Sequence, residues 1–155
     1  MKRGVAVKKF HFSLQKLMDF RQQELDKQKN TLGALQAELR KIHEEAEQIR
    51  TALADQSAEL VRVCSRGAQA NDIAVRKRYI VTLQQEIHAK ELQAIKKQGE
   101  IDNQLNVVVE ATKDVKTLEK LEEKQLEEYR SREVKENEQF IEEFVSGQAV
   151  RGSAV

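Results

Sequence analysis

Residues 64–72 read CSRGAQAND, and this short stretch decides the fold. Gly67 is placed to stop a helix, with Arg62 and Arg66 near that end to complement the helix dipole. Asn71 is placed to cap a second helix, with Asp72 in its first turn. A break of about six residues between two long helical patterns makes an antiparallel hairpin the simplest outcome.

The composition supports long helices. Of 155 residues, 34% are charged and 5% aromatic, with no Pro and six Gly. Such a chain favours a narrow apolar seam over a thick core, and the expectation is a rod. Upstream of the break, alternate steps of four and three run from Leu14 through Met18, Arg21, Leu25, Gln28, Leu32, Leu35, Leu39, Ile42, Ala46, Ile49, Leu53, Gln56 and Leu60 to Val63. Twelve of these fifteen positions are apolar, which asks for a partner helix along the whole stripe. The polar breaks at Arg21, Gln28 and Gln56 either fix the register or are merely tolerated.

Downstream, Ile73, Ile80, Ile87, Ala94, Ile101, Val108 and Val115 recur every seven residues. Among the companion positions Leu83, Ala111 and Leu118 fit, whereas Arg76, Lys90, Lys97 and Gln104 do not. Leu92, Ile95, Leu105, Leu121 and Leu126 lie off the stripe, so the second seam is expected to drift. This arm is expected to end near Val145, at Ser146-Gly147, with residues 146–155 a disordered tail.

The expected architecture is therefore all-α: a two-helix antiparallel coiled-coil hairpin, arms at about 13–65 and 72–145, turn near 65–71, after a basic and aromatic lead at 1–12. At about 1.5 Å per residue the arms measure about 75 and about 110 Å. Pairing outward from the turn sets Leu14 opposite roughly Glu122 and leaves Tyr129, Phe140, Ile141 and Phe144 on an overhang. Residues 1–16 hold five Lys/Arg and no acid, while 119–143 hold ten Glu against five Lys/Arg. The two ends should attract, with salt-sensitive strength. Phe12 before Ser13, with Leu17 four positions after that cap, fits a hydrophobic staple.

Other function classes find little support. A net charge of +1 gives no basic excess for nucleic acid. No apolar run approaches the roughly 18 residues of a membrane span. The single Cys64 forms no internal disulfide and suits a reducing, cytoplasmic compartment. His43-Glu44-Glu45-Ala46-Glu47 begins like a helical zinc motif, but Glu47 stands where the second histidine belongs. His11 and His88 have no ligand cluster around them. The expectation is a non-enzyme with no metal and no cofactor, monomeric as a hairpin.

Three segments together resemble the flagellar FliJ family: KKFHFSLQKLMDFRQQELDKQ at 8–28, RYIVTLQQEI at 78–87 and LEKLEEKQLEEYRSREVKENEQFIEEF at 118–144. The likeness spans about residues 8–145. It implies a cytoplasmic stalk, peripheral to the inner membrane, of the type III export complex. The implied partners are the hexameric flagellar export ATPase, the cytoplasmic domain of the export gate and export chaperones. The resemblance maps an ATPase-ring contact onto Leu14, Leu17, Met18, Phe20, Arg21 and Leu25 with Tyr129, Phe140 and Phe144. It maps an export-gate contact onto Tyr79, Leu83, Glu86 and Lys90. The rival expectations are a coiled-coil scaffold without an ATPase partner and the equivalent stalk of a non-flagellar secretion system.

Overall fold

A computed structural model describes residues 9–152. The basic segment 1–8 and residues 153–155, parts of the expected lead and tail, lie outside the described residues. Two helices make up the fold: α1, Gln15–Ser65, and α2, Ala70–Gly152. No strand occurs among the described residues.

The connection is built as the glycine predicts. Gly67 has φ 81°, a left-handed conformation that costs glycine least because it has no Cβ. Its N–H donates to the Cys64 carbonyl, and the Ala68 N–H donates to Val63, both at 3.3 Å. Those two bonds form a Schellman motif, which satisfies carbonyls that the helix end would otherwise leave open. The start of α2 differs from expectation. The Ile73 N–H donates to Gln69, so the helix begins before Asn71, which lies inside its first turn and is not the cap. Asp72 remains in that turn, on the favourable end of the dipole.

At the other end of α1, the Met18 N–H donates to the Leu14 carbonyl. Leu14 thus takes the capping position expected of Ser13. Phe12 is buried while Leu17 is exposed, so Phe12 does not serve as the N′ half of a staple. The expected stop at Ser146-Gly147 is also absent, and α2 continues to Gly152. Among the described residues only Gly67 has positive φ. With no Pro and no left-handed residue after Val145, nothing terminates the helix there.

The fold divides into two compact units. The turn-end unit is Asp26–Glu110; the terminal unit joins the chain up to Leu25 with that from Ala111 onward. In the turn-end unit the α1 stripe is half-buried or buried at every predicted position from Gln28 to Val63. Facing it, Ile73, Ile80, Ile87, Ala94, Ile101 and Val108 are covered, and so are Arg76, Leu83, Lys90, Lys97 and Gln104 between them. The second seam therefore does not drift. The polar residues occupy the alternate seam positions, and the off-stripe Leu92, Ile95 and Leu105 are exposed.

Partners on α1 make three of those polar positions tenable, and Arg76 pairs with Asp72 on its own helix at 3.5 Å. Lys90 Nζ lies 2.5 Å from Glu45, and Lys97 Nζ lies 2.7 Å from both Glu38 and Glu100. Gln104 Nε2 donates to the Gln28 side-chain oxygen at 2.7 Å and to its backbone carbonyl at 3.0 Å. Long side chains lay their methylene stems across the seam while their polar ends reach partners at its edge. Stepping the register of the two lysine pairs toward the turn by heptads sets Leu83 opposite Ala52, a large side chain over a small one, and Arg76 opposite Glu59. Consistently, Arg76 is among the cations that help depress the Glu59 carboxyl, after the larger effect of its hydrogen bond from Arg62. A slip of one heptad would set Lys90 against Ala52 and Leu83 against Glu59, keeping an acid only for Lys97, at Glu45, so that one of the two lysine pairs is lost and a buried leucine meets a charge. The polar seam thus specifies the register in which the two helices pair.

In the terminal unit Phe12 and Leu25 are buried beside a covered α2 stripe that includes Val115, Leu118 and Leu126. Residues 9–12, ahead of α1 and outside any helix, extend this packing. Phe10 and Tyr129 stack with ring centroids 5.7 Å apart, tilted at 56°, a favourable aromatic geometry. The pairing pattern puts Tyr129 on the overhang, but the lead covers it. From Arg130 to Gly152 all residues except Glu133 are exposed.

Candidate functional site

With one seam satisfying each helix, the candidate contact surface consists of apolar side chains that the seam does not use. In the terminal unit, α1 turns Leu17, Phe20 and Arg21 outward, with the Arg21 guanidinium 5.9 Å from the centroid of the Phe20 ring. That distance permits a cation–π contact, which orders the guanidinium over the ring. Leu14 and Met18 are half-buried in the seam and Leu25 is buried. Of the predicted α1 contact set, Leu25 is therefore core, and Arg21 has left the seam for solvent. Arg21 lies three residues before Glu24 and one after Phe20, where a long side chain reaches water more easily than the apolar seam.

On α2 the same unit exposes Val134, Phe140, Ile141, Phe144 and Val145. At 100° per residue they fall within one arc of about 140°. Glu136 and Glu143 lie along one edge of this arc, Glu138 and Glu142 along the other. Phe140 is 69% exposed, so no described residue covers it. This is an amphipathic face without a partner among the described residues. Tyr129 sits where the covered stripe gives way to it. Burial holds the Tyr129 hydroxyl above its ordinary pKa, and the negative charges of Glu133 and Glu136 push it the same way.

In the turn-end unit the predicted gate contacts separate. Tyr79 is 47% exposed and Glu86, seven residues on, shares its face. Leu83 is only 4% exposed, and Lys90 is half-buried against Glu45. Leu83 and Lys90 thus belong to the seam and not to a surface that a partner reaches. The reason is the unbroken heptad: both stand in phase with Arg76, Lys97 and Gln104, although only Leu83 is apolar. The structure adds neighbours that the pattern reading missed. Val75, one turn before Tyr79, is exposed, as are Val81, Leu92 and Ile95 on other sides of α2. A search for apolar residues out of phase with the heptad would have found them.

No group of three or more metal-ligating side chains occurs among the described residues. Likewise, no described helix is long and apolar enough to cross a membrane. The open groove between Lys41, Ile42, Lys96 and Lys97 is flanked by Glu38, Glu45 and Glu100, the same ions that hold the seam.

A family model described as Flagellar FliJ protein matches residues 10–153. The chain belongs to the flagellar FliJ protein family. Family membership makes it a non-catalytic component of flagellar type III protein export, associated with the export apparatus. Comparison with curated proteins and with solved structures gave no match. The match spans both units, so the FliJ assignment covers the exposed faces of each.

Proposed function

We propose that this FliJ-family chain is the central stalk of the flagellar export ATPase. Its terminal unit enters the hexameric ring, and its turn-end unit meets the cytoplasmic domain of the export gate and export chaperones. The complex would lie on the cytoplasmic side, peripheral to the inner membrane. The observation that carries this reading is the bare apolar face of α2, Val134 to Val145, in the same unit as exposed Leu17 and Phe20. Exposed aromatic clusters of this kind serve as anchors in protein interfaces.

The ring contact is assigned to Leu17, Phe20, Arg21, Phe140 and Phe144, with Leu14, Met18 and Tyr129 supporting them from the half-buried edge. The gate contact is assigned to Tyr79 and Glu86. A stalk without six-fold symmetry touches the six subunits of a ring unequally. Those unequal contacts bias subunits toward different conformations, which is how a non-catalytic stalk alters ATPase cooperativity.

ATP hydrolysis by a flagellar export ATPase, with and without this chain, tests the proposal. Stimulation is expected, and Leu17→Ala with Phe20→Ala should weaken it while helicity is retained. Tyr79→Ala should spare the ATPase and weaken gate binding. Absence of both stimulation and binding would leave the scaffold reading in its place. The seam already argues against a parallel homodimeric scaffold, because pairing α2 with its own copy would set Lys90 and Lys97 against themselves.

A further inference from the structure

The turn-end unit carries as many acids as Lys/Arg, yet the two signs are not spread evenly along it. Residues 60–79, which include the turn, hold five Lys/Arg against one acid. Residues 26–59 hold five against seven acids, and 80–110 hold three against five. The turn is thus a basic end on an otherwise acidic unit. The near-zero net charge of the chain hides it, but beyond a screening length of about 8–10 Å those distant acids no longer cancel it.

Neighbours neutralise only part of this charge. Arg62 pairs with Glu59, and Arg76 with Asp72. Arg66, Lys77 and Arg78 are exposed and make no ion pair among the described residues. Apolar side chains stand among them: Val61 is 70% exposed and Val75 53%. The directions of the side chains select the partner. Ile73, Arg76, Ile80 and Leu83 are the covered positions of α2 at this end. At about 100° per residue, Lys77, Arg78 and Tyr79 fan across about 200° on the opposite side. A helix packed on a protein offers one narrow stripe, as the seam does. A headgroup layer is fluid and receives such a fan, with cations at its phosphates and aliphatic side chains just beneath.

We propose that the turn, from Val61 to Arg78, is a docking surface for an anionic bilayer. Arg66, Lys77 and Arg78 meet the headgroups, and Val61 and Val75 reach the acyl boundary. The stalk reading gives this unit a protein partner. The lipid contact is an additional one and uses none of the residues assigned to the gate.

For the test, the full chain is sedimented with vesicles of phosphatidylcholine and phosphatidylglycerol, or of phosphatidylcholine alone. Retention is expected on the anionic vesicles only. It should fall as salt rises from about 0.1 to about 1 M, where the screening length shortens from about 10 to about 3 Å. Lys77→Gln with Arg78→Gln should weaken it about 25-fold, about fivefold for each cation, with circular dichroism unchanged. The chain has no Trp, so Val75→Trp reports on the turn alone. Its emission should shift to the blue on anionic vesicles, while that of Asn103→Trp, at the same heptad position far from the turn, should not. No retention on anionic vesicles, or equal retention on both kinds, would overturn the proposal. So would unchanged retention of the double variant, or equal shifts at 75 and 103, which would lay the whole helix on the bilayer. Release from the vesicles by poly-glutamate or a short DNA duplex, at the charge concentration of the lipid, would overturn it in favour of an acidic protein or a general polyanion. Neither ATPase nor gate is present, so the lipid contact can fail while the stalk stands, and the reverse.

Discussion

Replacing Leu83 separates a seam residue from a surface anchor. Leu83 is 4% exposed and sits in register opposite Ala52, whereas Tyr79, one turn earlier, is 47% exposed. Leu83→Ala removes three carbons from the seam and leaves alanine facing alanine. At about 0.8 kcal/mol per carbon the transfer loss is about 2.4 kcal/mol. Buried leucine truncations cost about 2–5 kcal/mol, the upper values arising where a cavity persists. A two-helix seam is one layer thick, so water and neighbouring side chains fill the gap and the expected cost is about 2–3 kcal/mol. With a urea dependence of about 2 kcal/mol/M, the unfolding midpoint should fall by about 1–1.5 M. Tyr79→Ala should cost about 1 kcal/mol or less, as surface substitutions do. Urea unfolding followed by circular dichroism measures both on the same chain. Equal midpoint shifts for the two variants would refute the placement of Leu83 in the core and of Tyr79 outside it.

Three further outcomes follow from the same geometry. Lys90→Glu should lower the melting temperature by setting like charges together at Glu45. Adding Glu45→Lys should recover much of the loss, a double-mutant cycle that isolates the pair. Acid should destabilise the turn-end unit, because hydrogen bonds from Lys90, Arg62 and Lys97 hold Glu45, Glu59 and Glu100 below the ordinary carboxyl range. A depressed folded-state pKa contributes stability above the unfolded value and loses it as pH falls through the folded one. Thermal melts should therefore hold steady from about pH 7 to 5 and decline below about pH 4.5. Gly67→Ala should cost about 1–2 kcal/mol through its positive φ alone, since an added Cβ meets nothing within 4 Å. Gly67→Asn should cost less, and comparison of melting curves ranks the three chains.

Much of the fold can be read from two local signals. The apolar stripe of α1 is nearly continuous, so its period declares the buried face without knowledge of the partner. Gly67 declares the turn because the left-handed conformation penalises a Cβ. The ends of the helices were less legible. Asn71 and Ser13 are good capping residues by type, yet the chain caps with Gln69 and Leu14, where carbonyl geometry serves and no side-chain cap is required. The site was legible only in part. Phe20, Phe140 and Phe144 betray exposure by exceeding what a narrow seam can hold. Leu83 and Lys90 could not be sorted from Tyr79 by residue type, because a half-apolar heptad looks like a drifting one until its partner helix is in view.

The sequence alone thus determined a helical hairpin with its turn at Gly67, since backbone sterics and hydrophobic period act locally. Tertiary structure decided what the polar seam positions mean. Arg76, Lys90, Lys97 and Gln104 read as defects along α2, but Glu45, Glu38 and Gln28 on α1 turn three of them into register marks. It also decided where pairing stops, because the aromatic contact from Phe10 to Tyr129 carries the lead past the start of α1. Both outcomes depend on side chains far apart in sequence meeting across a helix pair, a relation that no single stretch of the chain contains.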